Sequence, residues 1–306
     1  MQRESPALVV RPGLLAAGFT DEELKRWRAQ GRLVTVRPGV YVRATDTGPD
    51  HPAARHGLAI RAAVQQLAPG AVMSHVSAAV LHGLPLWAAP LDRVHVTRNR
   101  RSGGRRSRYL HLHAAALEPD EVVLVAGIAV TSVARTIADL ARFLPFEPAV
   151  VPADAALHRG LVTRAALADA VERSSNRRGN TAARRVVAFA DGRSESPGES
   201  RSRVALQRAG LPAPVLQYVI RSADGTAIAR VDFGWPKLRT VGEFDGLVKY
   251  GRLLQPGQVP AEVVVEEKRR EDAIRDEDLR VRRWGWDDLD HFEPVAGRLR
   301  LAFDAS

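Results

Sequence analysis

Three apolar stretches, Val215 to Ile220, Ala227 to Trp235 and Thr240 to Asp245, follow one another with only the Asp224-Gly225 turn and Pro236-Lys237-Leu238-Arg239 between them. Links of that length suggest hairpins, so the segment reads as a three-strand meander. The meander carries Asp232 within its second strand and Glu243-Phe244-Asp245 in its third. Side chains two apart on a strand share a face, so Glu243 and Asp245 point the same way, with Asp232 facing them from next door. Carboxylate oxygens suit a hard cation such as Mg²⁺ or Mn²⁺, which keeps several waters and needs few protein ligands. A water on such an ion is a nucleophile for a phosphodiester. The expected substrate is a nucleic acid.

Charge agrees with a polyanionic partner. Lys and Arg number 45 against 35 Asp and Glu, a formal charge of +10 in 306 residues. Arginine, the better fork for phosphate, supplies most of the cations. Cysteine is absent, which excludes disulfides, thiolate zinc sites and a cysteine nucleophile and makes the cytoplasm the expected compartment. The start, Met1-Gln2-Arg3-Glu4-Ser5-Pro6, lacks a signal-peptide layout, and the longest apolar run, Val122 to Val130, is too short to span a bilayer. No membrane partner is expected.

Three regions are expected in an α/β (α+β) chain: a winged-helix-like DNA-binding unit at 1–50, a helical middle region with a small sheet at 51–190, and an α/β domain at 191–306. In the first, Thr20-Asp21-Glu22-Glu23 caps a helix that Gly31 closes, and Leu33 to Val36 and Val40 to Val42 flank the turn Arg37-Pro38-Gly39 as a two-stranded wing. Lys25, Arg26, Arg28 and Arg37 are its candidate DNA contacts, with a solvated basic face as the other reading.

In the middle region Ser74-His75-Val76-Ser77-Ala78-Ala79 starts a helix, and a strand Val94 to Thr97 leads into the densest cation run of the chain, Arg98 to Arg108. There Arg100, Arg101, Arg105 and Arg106 either clamp a phosphate backbone or form a solvated loop. His111 and His113 lie two apart on an apparent strand, a metal-compatible spacing, but with no Cys nearby and no third ligand in view they read as ordinary strand residues. His75 and His82 read as helix residues with ordinary hydrogen bonds.

Ahead of the meander Ser196-Pro197-Gly198-Glu199 opens a helix that runs to Gly210. Behind it come a charged helix, Glu266 to Asp278, and a strand, Leu279 to Trp286. This order, with Glu199, Asp232 and Glu243-Phe244-Asp245, resembles the PD-(D/E)XK nuclease fold in its very-short-patch-repair endonuclease branch, over about the last 115 residues. The resemblance implies a Mg²⁺ (or Mn²⁺) site on Asp232, Glu243 and Asp245, with Glu199 assisting. Where the parent motif has a Lys two residues after the Glu, this chain has Asp245, so Lys249 or Lys268 would supply the cation. Each residue also has a structural reading. Glu199 completes a capping box with Ser196; Glu243 and Asp245 pair with Lys249 or with arginines of the next helix; Gln217 is a polar ligand or an edge-strand residue. Asp232, set between Val231 and Phe233, is harder to explain structurally, because a buried carboxylate is costly unless paired or metal-bound.

The front of the chain, through its wing and through Ser74-His75-Val76-Ser77-Ala78-Ala79 and Thr131-Ser132-Val133-Ala134-Arg135-Thr136, is similar to the type IV antitoxin family of the abortive-infection kind. Both halves together look like actinobacterial proteins that join an antitoxin-like front to a nuclease-like end. The resemblance implies binding to double-stranded DNA and a toxin partner or a second copy of the chain. Two functions are therefore expected in competition, a Mg²⁺-dependent endonuclease in defence or DNA repair and a non-catalytic antitoxin-like regulator with a degenerate nuclease fold.

Overall fold

Helix α2 (Asp21–Ala29) starts where Thr20 Oγ1 accepts the Glu23 backbone N–H at 3.3 Å and the Glu23 carboxylate accepts the Thr20 N–H at 2.8 Å. This is the reciprocal cap expected from the sequence. The computed structural model describes residues 7–46, 51–222, 224–246 and 277–305. Ahead of α2 lie strand β1 (Leu8–Val10) and helix α1 (Arg11–Ala16); behind it come β2 (Leu33–Arg37) and β3 (Val40–Arg43). β3 sits between β1 and β2, antiparallel to both. The expected two-stranded wing thus gains a third strand from a segment ahead of the helices. Leu24, Leu33 and Tyr41 form its core.

The middle of the chain builds a larger sheet than the small one expected. It runs through α3 (Pro52–Val64), β4 (Ala71–Met73), α4 (His75–Leu81), β5 (Val94–Arg98), β6 (Arg105–Arg106), β7 (Leu110–Ala114), β8 (Val122–Val125), β9 (Ile128–Thr131) and α5 (Val133–Phe143). The six strands lie in the order β6-β7-β5-β4-β9-β8, with β5/β7 and β4/β9 parallel and the other pairs antiparallel. The Val122–Val130 run accounts for part of the excess. It turns back on itself at Ala126-Gly127, both at positive φ (49° and 77°), the backbone of a tight two-residue hairpin. Ile60, Met73, Val94, Val96 and Val130 fill the core against this sheet. Arg135 on α5 is almost fully buried (1% exposed); it binds Glu121 at 2.6 Å and Asp139 at 3.1 Å and donates to the Ala116 carbonyl.

Helices α6 (Phe146–His158), α7 (Arg164–Glu172) and α8 (Asn180–Phe189) follow. The chain divides into two compact units, Met1–Pro152 with Val162–Ala188, and Ala153–Leu161 with Phe189–Ser306. In the second unit the fully buried Asp154 holds Arg203 at 2.7 Å and accepts the Asp191 backbone N–H at 2.8 Å.

That unit contains α9 (Pro197–Arg208), β10 (Val215–Arg221), β11 (Ala227–Trp235), β12 (Thr240–Asp245), β13 (Arg280–Gly285), α10 (Trp286–Asp290) and α11 (Glu293–Asp304). The first three strands form the expected antiparallel meander, and β13 adds in parallel beside β12. Leu206, Phe233, Trp235, Trp284, Val295 and Leu299 pack as one core. Gly242 is required there, since a Cβ on it would lie 2.5 Å from the Trp284 ring. Among the described residues no helix is long and apolar enough to cross a membrane.

Candidate functional site

Register places the acidic residues. Phe233 pairs with Gly242 and Gly234 with Val241, so the antiparallel ladder runs on toward Asp232 and Glu243. Asp232 turns its carboxylate onto β12, where Oδ2 accepts the Phe244 backbone N–H at 2.8 Å. The side chain is half-buried. Burial pushes its pKa up from 3.8 to about 6; the Phe244 hydrogen bond opposes the rise, and the nearby carboxylates of Glu199, Glu243 and Glu195 add to it. An acid raised by both desolvation and like charge is the electrostatic mark of a position suited to a cation.

Glu199 serves both of its sequence readings. Its backbone N–H donates to Ser196 Oγ at 3.2 Å, and its carboxylate accepts from Ser196 Oγ at 2.7 Å and from the Glu195 N–H at 2.9 Å. It is also buried, 7% exposed, and close enough to Asp232 to disfavour ionisation there. Gln217 on the edge strand β10 adopts a left-handed φ of 52° and donates from Nε2 to Glu199 Oε2 at 2.8 Å. It buttresses Glu199.

Glu243 has a partner that sequence reasoning missed. The parallel register sets it opposite Arg283, whose Nε donates to Glu243 Oε2 at 2.9 Å. The expected partners were Lys249 or arginines of the following helix. Asp245 stands at the exposed end of β12. Lys249 and Lys268 lie outside the described residues. The structure therefore brings Asp232, Glu199 and Glu243 into one electrostatic neighbourhood. Among the described residues these carboxylates do not close to three ligand atoms within 4.8 Å of one another; His75, His95 and His113 do. The donor set still fits a hard divalent cation, because a bound cation relieves the repulsion that raises Asp232.

The basic candidates occupy the other unit. Lys25, Arg26 and Arg28 are exposed on α2, whose Leu24 faces inward; Arg26 lies 3.9 Å from Glu23, and the Arg28 guanidinium sits 5.9 Å from the Tyr41 ring centre. Arg37 is half-buried, and its Nε is enclosed without a hydrogen bond. Arg100, Arg101, Arg105 and Arg106 are all exposed. Arg105 and Arg106 form the edge strand β6, paired with Leu112 and His111. With Arg101 they line a cavity of about 430 Å³ that His111 and His113 close from the sheet side.

No family model matches the chain. Two uncharacterized proteins of Mycobacterium tuberculosis, one from strain CDC 1551 and one from H37Rv, are each 35% identical over 160 residues, 48% of this chain. The match spans 59% of the length of those relatives. Among solved structures, the crystal structure of the RV2827C protein from Mycobacterium tuberculosis covers 72% of this chain and 85% of its own, with 14% identity and a TM-score of 0.39.

Proposed function

We propose that the chain is a cytoplasmic nucleic-acid-binding protein whose C-terminal unit cleaves phosphodiesters with Mg²⁺ or Mn²⁺. The observation that carries this reading is Asp232, held near pKa 6 between strands by burial and by Glu199 and Glu243. The parallel placement of β13 beside an antiparallel meander supports it, since the sequence resemblance rests on a meander followed by a further strand. Asp232 and Glu243 would hold the cation, with Asp245 and Glu199 at its margin. Such an ion supplies an activated water and neutralises charge on phosphorus. Asp232 is fixed by the Phe244 N–H and Glu199 by Ser196 and Gln217, so two carboxylates are oriented before substrate arrives. Double-stranded DNA is the proposed substrate, held through the exposed arginines of β6 and its loop and the basic face of α2.

The test is cleavage of supercoiled plasmid, linear duplex, single-stranded DNA and RNA with Mg²⁺ or Mn²⁺, beside EDTA and an Asp232→Ala/Glu243→Ala chain. Metal-dependent cutting that the double variant lacks is the expected result. Inertness of wild type and variant on every substrate, with duplex still bound, rejects the enzyme.

One observation favours the rival. Arg283 already neutralises Glu243 at 2.9 Å, as it would in a regulator whose nuclease fold only makes contacts, with DNA, a toxin or a second copy of the chain. An Arg283→Ala chain that cuts faster than wild type would place that ion pair as a competitor of the metal.

A further inference from the structure

Four histidines crowd into one cluster in the six-stranded sheet. His75 opens α4 directly after β4, His95 lies on β5, and His111 and His113 lie on β7, paired in parallel with β5. One nitrogen each from His75, His95 and His113 lies within 4.8 Å of the other two, and His113 Nε2 is 3.1 Å from His95 Nδ1. Tetrahedral zinc with Zn–N bonds of about 2.0–2.1 Å sets its ligand nitrogens about 3.3 Å apart. To reach that geometry the nitrogens draw together and the stacked His75 and His113 rings, 14° from parallel, turn so that their lone pairs converge.

The cluster differs from an ordinary hydrogen-bonded core histidine. His56 shows the satisfied alternative, with Nδ1 3.0 Å from the Leu91 carbonyl and Nε2 2.9 Å from Ser77 Oγ. By contrast His95 and His113 are joined ring to ring, the His75 and His113 rings stack at 3.8 Å, and the buried His111 Nδ1 makes no hydrogen bond. His75 takes a left-handed φ of 52° to reach its place, a strained conformation for a non-glycine residue that persists only where its surroundings enforce it.

The surroundings also prepare the ligands. Ser74 Oγ receives the Thr97 hydroxyl at 2.8 Å and lies 3.0 Å from His75 Nδ1. That contact orients the His75 ring from its outer side. Phe143 covers the cluster, its ring centre 5.1 Å from that of His95. His113 is also among the residues that line the open, arginine-rich groove beside β6.

We propose that His75, His95 and His113 bind a borderline transition-metal ion, Zn²⁺ foremost, with an exchangeable fourth position toward the cavity of Arg101, Arg105 and Arg106. Three neutral imidazoles suit Zn²⁺ and bring no charge to attract Mg²⁺, so this site is independent of the acidic one.

The test uses untagged, EDTA-stripped full-length protein titrated with Zn²⁺ alone and with Co²⁺ as a visible reporter. One tight equivalent of Zn²⁺ is expected, with a tetrahedral Co²⁺ absorption that Zn²⁺ abolishes. His113→Ala, at a half-buried position, should weaken binding by roughly 100-fold, and Ser74→Ala by about 10-fold. His82→Ala should leave it unchanged, because His82 Nε2 is engaged by the Thr131 carbonyl at 2.8 Å. The Asp232→Ala/Glu243→Ala chain should keep the equivalent; its loss there would move the ion to the acidic site and overturn the proposal. So would wild-type binding well below one equivalent, or His113→Ala binding as wild type does. Should His113→Ala fail to fold in EDTA, the wild-type Co²⁺ spectrum decides, and an octahedral one rejects the site.

Discussion

Asp232→Asn should stabilise the metal-free protein, and only at a pH where Asp232 is ionised. The folded pKa of about 6 stands above the ordinary 3.8, so between those values the native state holds more proton than the unfolded chain, and stability falls as pH rises. Above about pH 6.5 the penalty is complete; below about pH 3.5 it vanishes. At about 1.4 kcal/mol per tenfold in proton affinity the ceiling is about 3 kcal/mol. Asp232 is only half-buried, so solvent screening reduces this to roughly 1–2 kcal/mol. Asparagine keeps the shape, and its Oδ1 can still accept the Phe244 N–H, so the charge alone is removed. The assay is urea unfolding in EDTA at pH 4 and pH 8, followed by tryptophan fluorescence; Trp235, Trp284 and Trp286, three of the chain's five tryptophans, lie in the C-terminal unit. The variant should gain at pH 8 and hardly at pH 4, and Mg²⁺ should shrink the gain by stabilising wild type selectively. An equal effect at both pH values, or a loss at pH 8, would falsify the electrostatic account of the site.

Other perturbations test other parts of the molecule. Gly242→Ala drives a Cβ to 2.5 Å from Trp284 and 3.3 Å from Trp235; the overpacking should cost about 1–3 kcal/mol in the same transition. Asp139→Ala strips the buried Arg135 and its neighbour Arg142 of a shared carboxylate and should cost about 3–5 kcal/mol in thermal or urea melts. Replacing Arg100, Arg101, Arg105 and Arg106 by alanine should flatten the dependence of duplex affinity on salt, by roughly 0.9 in log–log slope for each phosphate that is no longer neutralised. An unchanged slope in a binding titration would take those arginines out of the interface.

What the sequence announced was what neighbouring residues decide among themselves. The Thr20 cap and the meander are local, with turn residues at close spacing, and alternation along β12 follows from the pleat. The Val122–Val130 hairpin was hidden because its turn, Ala126-Gly127, interrupts an apolar run with a single glycine and no polar residue. Arg283 became the partner of Glu243 through a parallel register set far along the chain, and no local pattern encodes that. The histidine cluster failed for the same reason. His111-x-His113 was visible as a pair, but His75 and His95 join it only when β4, β5 and β7 are laid side by side. The one local sign was Ser74 preceding His75 at a helix start.

The Asp154–Arg203 pair has a consequence for how the molecule can be divided. A chain begun at residue 191 would contain Arg203, its guanidinium shaped for an interior anion, with no anion to meet it. The loss would also strand the Asp191 backbone N–H that Asp154 accepts. Yet the segment that supplies Asp154 is followed by residues 162–188, which belong to the first unit. No single cut therefore releases the acidic unit whole. The two units are written into one another along the polypeptide, so a fragment made of the last third of the chain alone would lack a buried counterion.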